Sequence, residues 1–177
     1  MPHKRKDLNI KAANLWYLVG LIASDGCLSK DGRHINITSK DYNFLNGLKN
    51  ILNLGIKVGT KNRNKINQAY QLQFSNVNFY KFLLSIGITP KKSLTMKAIK
   101  VDKEFFIDFL RGLIDGDGGI QRWIHKNNGR EQWSMRISSG SPDFLLWLQS
   151  QIERTFDVIG KIHNEGRNRF RLKYGKM

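Results

Sequence analysis

The sequence predicts an α+β fold made of two duplicated halves related by a pseudo-twofold axis, each running αββαββ with one extra helix in the first half. Three observations predict it. Leu18-Val19-Gly20-Leu21-Ile22-Ala23-Ser24-Asp25-Gly26 returns as Leu110-Arg111-Gly112-Leu113-Ile114-Asp115-Gly116-Asp117-Gly118, at a constant offset of 92 and with six of nine residues identical. After each copy the apolar pattern switches from helical spacing to strict alternation. A second correspondence follows, in which Ile37-Thr38-Ser39-Lys40 with Phe44-Leu45 matches Ile137-Ser138-Ser139-Gly140 with Phe144-Leu145. Its offset is 100, so the first hairpin of the second half is eight residues longer.

Each element follows from local pattern. Leu15, Leu18, Val19 and Ile22 fall at i, i+3, i+4 and i+7, as do the equivalent Ile107, Leu110 and Ile114, so each motif is the end of a helix. Asp102 is a candidate N-cap for the second, and Gly26 and Gly118 read as helix terminators. Gly20 and Gly112 each cost roughly 1 kcal/mol relative to alanine inside a helix. Their matched positions predict two helices packed backbone to backbone there, with Asp25 and Asp117 brought together at the C-terminal ends.

Ile35 and Ile37 then alternate with His34, Asn36 and Thr38 after a turn at Asp31-Gly32. Trp133, Met135 and Ile137 alternate with Gln132, Ser134, Arg136 and Ser138 after the hairpin signal Asn128-Gly129. A helix capped by Asp41 or Ser39 runs to about Asn53, and Ser141-Pro142-Asp143 opens another that reaches about Phe156. Second hairpins carry Tyr70, Leu72 and Phe74 in one half and Phe170, Leu172 and Tyr174 in the other. A helix from about Asn76 to Ile86, closed by Gly87, has no counterpart in the second half, as in a minimal or shortened member of its class. The divisions are an N-terminal half at 1–88, a linker at 89–101 and a C-terminal half at 102–177. Lys91, Lys92, Lys97, Lys100 and Lys103 make the connection look too basic to be buried.

The chain has 177 residues, 30 Lys and Arg against 14 Asp and Glu, and a net charge of +16. A folded domain this basic is expected to face a polyanion, nucleic acid first. The single cysteine, Cys27, excludes an intrachain disulfide and a multi-cysteine zinc site, and His3, His34, His125 and His163 show no ligand spacing. Basic residues 3–6 before the apolar stretch from Ala12 to Ala23 mimic a signal peptide, but the same segment recurs in mid-chain. No run is long enough for a membrane span. An intracellular location is expected, cytoplasmic in a prokaryote or within an organelle.

One face of each sheet must be apolar, to pack on helices. The other carries Lys30, His34, Asn36, Gln71, Gln73, Gln132, Arg136, Lys161, His163, Arg169, Arg171 and Lys173, side chains suited to base edges and phosphates. Arg33, Lys61, Arg63, Arg122, Lys126, Arg130 and Arg167 extend this set toward the hairpin tips, where backbone contact is expected. A carboxylate at a helix C-terminus is disfavoured by the dipole, and a divalent cation reverses the sign. Oxygen-only ligation suits Mg²⁺, or another hard ion such as Mn²⁺, and metals bridging attacking and leaving oxygens hydrolyse phosphodiesters. Asp115 faces Ala23 in the repeat and is expected to be structural.

The two nonapeptides resemble the signature of the LAGLIDADG homing endonucleases in the single-chain, two-motif form. The resemblance extends to the αββαββ order, the Ile86-Gly87-Ile88-Thr89-Pro90-Lys91-Lys92-Ser93 segment and Arg111-Gly112 before the second aspartate. It implies two saddle-shaped antiparallel sheets along a long, asymmetric double-stranded DNA site, with the motif helices at the central interface. It implies a metal-dependent double-strand break with short 3′ overhangs, as in intron homing, by a monomer. Asp25 and Asp117 would be the metal ligands, with the carbonyls of Gly26 and Gly118. Lys40 and Lys92 match the places where a lysine would assist catalysis, and Gly140 replaces Lys40 in the second half. A maturase that binds intron RNA and a catalytically silent DNA-binding regulator are the alternatives on this scaffold. Flanking splicing blocks are absent, so a self-splicing intein is not expected.

Overall fold

A computed structural model describes Leu8 and residues 12–62 and 68–175. The first half contains α1 (Ala13–Ser24), β1 (Gly26–Leu28), β2 (His34–Ser39), α2 (Tyr42–Ile51), β3 (Gly59–Asn62), β4 (Gln68–Ser75) and α3 (Val77–Ile86). The second contains α4 (Phe106–Asp117), β5 (Gly118–Ile124), β6 (Glu131–Ser139), α5 (Pro142–Phe156), β7 (Lys161–Asn164) and β8 (Phe170–Gly175). Two four-stranded antiparallel sheets result, in the equivalent orders β1-β2-β4-β3 and β5-β6-β8-β7. No helix among the described residues is long and apolar enough to cross a membrane.

The centre of the molecule is the crossing of α1 and α4. A Cβ placed on Gly20 would lie 2.1 Å from the Phe109 carbonyl oxygen, and one on Gly112 would lie 2.0 Å from that of Tyr17. Backbone meets backbone there, as the matched glycines predict. Leu18, Val19, Ile22, Phe109 and Leu113, at 1% exposure or less, close around the crossing. Gly26 and Gly118 end their helices, but not through a left-handed conformation: Gly118 has φ −95° and ψ 179°. Each strand folds straight back on its helix, so a Cβ at either glycine would meet the Cα of Ile22 or Ile114 at 2.5 Å.

Other termini follow local chemistry. Asp41, Asn76 and Ser141 accept hydrogen bonds from the N–H groups of Phe44, Phe79 and Phe144, capping α2, α3 and α5. Gly87, at φ 106°, closes α3. Asp102 precedes a short 3₁₀ turn, Lys103–Phe105, and its side chain makes no cap bond; α4 proper starts at Phe106.

The connection between the halves corrects its sequence reading. Lys92, Met96 and Ile99 are buried, whereas Lys91, Lys97, Lys100 and Lys103 face outward. The apolar side chains of Met96 and Ile99, three residues apart, fasten it down. The buried Ser141 hydroxyl donates to the Met96 carbonyl at 2.5 Å, and the Lys100 N–H donates to the Ile86 carbonyl at 2.9 Å. Gly140 admits it: a Cβ there would lie 2.6 Å from the Ser93 carbonyl oxygen.

The halves differ on the helix side of their sheets. In the first, α3 covers Leu28, Ile35 and Phe74, and the Tyr80 hydroxyl donates to the Ser29 carbonyl at 2.5 Å. In the second, no helix follows β8 among the described residues, and Ile120, the repeat equivalent of Leu28, is 61% exposed against 4%. Two stability outcomes follow in chemical denaturation. Leu28→Ala should cost about 2–5 kcal/mol as a cavity mutation, and Ile120→Ala should stay within about 0.5 kcal/mol. Gly20→Ala should destabilise by about 1–3 kcal/mol or more, because overpacking the crossing outweighs the roughly 1 kcal/mol that alanine gains in a free helix.

Candidate metal centre and nucleic-acid interface

The crossing of α1 and α4 carries both motif aspartates to one place. Asp25 follows the last turn of α1 and its N–H donates to the Leu21 carbonyl at 3.0 Å. Asp117 ends α4. A Cβ on Gly116 would lie 1.9 Å from Ser24 Oγ and 3.5 Å from Asp25 Oδ2, so the two helix ends touch where the second motif has no side chain. Both aspartates are exposed at the rim. Protein packed behind them still raises their pKa values. Asp117 is pushed up to about 6, first by burial and then by the charge of Asp25, with Lys92 opposing. Asp25 is raised by burial, again against Lys92.

Lys92 is the third member of the cluster. It is 6% exposed, and its Nζ donates to the Gly26 carbonyl at 2.6 Å and the Ser24 carbonyl at 3.2 Å. Burial lowers its pKa, while Asp117, Cys27 and Asp25 favour its charged form. An ammonium buried this deeply stands only where carbonyls and carboxylates compensate it, and the C-terminal end of α1 supplies both. Lys40 occupies a different place: it is exposed in the turn between β2 and α2.

Asp115 lies outside this cluster. It accepts a hydrogen bond from the Tyr17 hydroxyl at 2.7 Å across the helix crossing, and the Arg111 guanidinium stands over the Tyr17 ring at 5.7 Å. Burial and the Asp115 carboxylate together raise the Tyr17 pKa. Asp115 and Asp25 also line a cleft of about 250 Å³ with Thr38, Ser39 and Asp41.

The donor set fits a hard divalent cation. Two like-charged carboxylates share one rim, and burial first, then the charge of Asp25, raises the pKa of Asp117; a bound cation would favour the ionised form of both. No group of three or more His, Cys, Asp or Glu residues able to hold a metal occurs among the described residues. Two carboxylates plus water and substrate phosphate is the ligation Mg²⁺ accepts. Asp25 and Asp117 would hold the ion with the Gly118 carbonyl; the Gly26 carbonyl is shared with Lys92.

Strand register sorts the other sequence candidates by face. His34, Asn36, Gln71, Gln73 and Lys61 lie on the helix-free face of the first sheet. Gln132, Arg136, Arg171, Lys173, Lys161 and His163 lie on that of the second. Lys30, Arg33, Lys126, Arg130, Arg167 and Arg169 are exposed in turns or at strand ends. Arg63 lies outside the described residues. Several are engaged within the protein: the His34 ring bonds Asp31, holding that carboxyl down at about 2, and Glu165 pairs with Arg169 at 3.3 Å and Arg171 at 2.8 Å.

Arg122 corrects its sequence assignment. It stands opposite Trp133, on the helix side of the sheet, paired with Glu131 at 2.5 Å and over the Trp133 ring at 5.7 Å. Gln121 and Trp123 hold the helix-free positions of β5 instead. Alternation from Gly119 would have found them, but Trp123 reads as apolar and hides the period.

The electrostatics predict a pH dependence in metal-free buffer. An acid whose folded pKa is raised stabilises the fold below its unfolded value, and this is lost as pH rises toward the folded value. Between pH of about 4 and 6, wild-type stability should therefore fall relative to Asp117→Asn. Parallel pH profiles of the two proteins in thermal denaturation would refute the raised pKa.

The sequence matches the LAGLIDADG-like domain family profile over residues 12–87 and 104–175. It is 28% identical over 166 residues to a probable translation initiation factor IF-2 of Methanocaldococcus jannaschii, covering 86% of this chain and 13% of that protein. It is 31% identical over 146 residues to an uncharacterized protein of the same organism, covering 75% and 16%. The chain thus spans well under a fifth of either relative's length. Full-length DUF199/WhiA from Thermatoga maritima superposes with a TM-score of 0.62 at 17% identity, covering 97% of this chain and 54% of that one. I-DmoI in complex with DNA and Mn gives 0.56 at 19% identity, covering 91% and 88%. The fold is shared with the two solved structures, and with two motif copies on two crossed helices the chain belongs to the LAGLIDADG-like domain family, in its single-chain, two-motif form.

Proposed function

We propose that this chain is a sequence-specific DNA endonuclease, making a metal-dependent double-strand break with short 3′ overhangs in a long, asymmetric site. The observation that carries the reading is the convergence of Asp25, Asp117 and buried Lys92 at the junction of two sheets. One chain supplies both aspartates, so a monomer completes the site. The helix-free faces would lie along the duplex, a ribbon of strands being able to enter the major groove. A bound Mg²⁺ or Mn²⁺ would supply the Lewis acid and the activated water for hydrolysis.

The residues have distinct tasks. Asp25 and Asp117 hold the positive charge at the scissile phosphates. Lys92, held by hydrogen bonds to the Gly26 and Ser24 carbonyls, would offset phosphate charge from a dry position. Tyr17 and Asp115 lock the crossing on which both carboxylates depend. Asymmetry enters through Gly140, which yields its side-chain space to the strap that carries Lys92. Lys40, exposed on the first half, would approach the substrate from one side.

A catalytically silent binder is the second reading, and one observation favours it: Lys92 already sits on the Gly26 carbonyl. Association with intron RNA is compatible with either. Asp117→Asn separates them. It should abolish cleavage of both strands in Mg²⁺ while leaving metal-free DNA affinity within about tenfold, a loss no larger than the ~1.4 kcal/mol of one modest contact. Retained cutting would remove Asp117 from the metal centre, and a wild type that binds but never cuts would favour the silent binder.

A further inference from the structure

Repeat-equivalent positions on the two helix-free sheet faces differ in chemistry. At the offset of 100, Asn36 corresponds to Arg136, Gln71 to Arg171 and Gln73 to Lys173. Three neutral side-chain amides of the first sheet are three cations in the second. The register shows that the correspondence is spatial: Asn36 stands opposite Gln73 in the first sheet, and Arg136 stands opposite Lys173 in the second.

Two of the amides are linked to each other and to Thr38. Asn36 Nδ2 donates to Gln71 Oε1 at 3.4 Å, and Thr38 Oγ1 donates to Asn36 Oδ1 at 3.4 Å. The cations form a row: Lys173 lies between Arg136 and Lys161, opposite both. Arg171 is paired with Glu165, but among the described residues Arg136, Lys161 and Lys173 have no ion pair. Like charges placed directly opposite destabilise a sheet, so this row is arranged for an anion outside the protein. Gly119 gives Arg136 its space, since a Cβ there would meet the guanidinium Nε at 3.3 Å.

We infer that the two sheets read chemically different halves of one DNA site. The first recognises an A·T-rich half through Asn36, Gln71 and Gln73, amides being able to pair bidentately with adenine. The second recognises a guanine through Arg136 and grips phosphates through Lys161 and Lys173. The inference rests on the DNA-binding part of the proposed function and is independent of cleavage. It assigns the larger salt-sensitive share of affinity to the second half, since Lys61 is the first-sheet equivalent of Lys161 but Arg136, Arg171 and Lys173 have only neutral equivalents.

The test is selection from a randomised duplex library by the whole chain in buffer without divalent metal, so that catalysis does not enter. Wild type should enrich sites with A·T in one half and G·C in the other. Asn36→Ala with Gln73→Ala should relax the A·T half alone, and Arg136→Ala should relax the G·C half alone, by about 5- to 150-fold per bidentate contact. On the selected site, Lys161→Ala with Lys173→Ala should reduce the salt slope of log affinity by about two, whereas the amide variants leave it unchanged. Equal base preference in both halves, or an equal loss of slope from the amide variants, overturns the inference while leaving DNA binding intact. Failure of wild type to enrich any sequence overturns it together with sequence-specific binding. Enrichment as described, with no cutting after Mg²⁺ is added, sinks only the endonuclease reading. Circular dichroism of each variant separates misfolding from lost contacts.

Discussion

Everything in this molecule depends on the close approach of α1 to α4. Two helices can bring their backbones into contact only where side chains vanish, and Gly20 and Gly112 vanish at the same turn of each helix. The approach fixes the angle between the halves. It also fixes the separation of Asp25 and Asp117, because both lie five residues, under a turn and a half, beyond the contact. Tyr17 and Asp115 then tie the crossing on its outer side. A site spread over two sheets thereby becomes rigid: the carboxylates hang from one packed joint and not from loops.

The strap between the halves performs a second task. It crosses the site at the level of the helix ends, and its Met96 and Ile99 are buried. Once anchored, it places Lys92 against the C-terminal carbonyls of α1. A helix C-terminus attracts a cation, so the ammonium settles where a carboxylate alone would be poorly placed. Serine and glycine on the second half make room for the strap: Ser141 binds the Met96 carbonyl and Gly140 lets Ser93 pass. The glycine that unbalances the repeat is thus the groove through which the lysine arrives.

Most of the architecture was legible because it is written in period and repeat. The helices, the αββαββ succession and the caps at Asp41, Asn76 and Ser141 all carry local signals, and the packing at Gly20 and Gly112 follows from duplicated glycines alone. What escaped was decided by tertiary context. Composition called the strap exposed, yet a lysine can be buried where a helix end offers carbonyls, which no local pattern encodes. Arg122 and Trp123 exchange the faces their polarity suggests, because β5 and β6 extend beyond the helices and leave both faces wet. The roles of Lys40 and Lys92 look alike in sequence, and only burial distinguishes them.

The asymmetries share one physical direction. In the first half α3 covers the helix side of the sheet, leaving Leu28 at 4% exposure, and the opposite face carries amides at Asn36, Gln71 and Gln73 with Lys61 at its edge strand. The second half leaves Ile120 and Trp133 at 61% and 52% exposure on the helix side and places Arg136, Lys161 and Lys173 in one uncompensated row on the other. A row of like charges on a less covered sheet costs stability that the second half recovers only in company. The strap supplies part of it by joining that half to the better-packed one, and an anion bound on the cationic face would supply more.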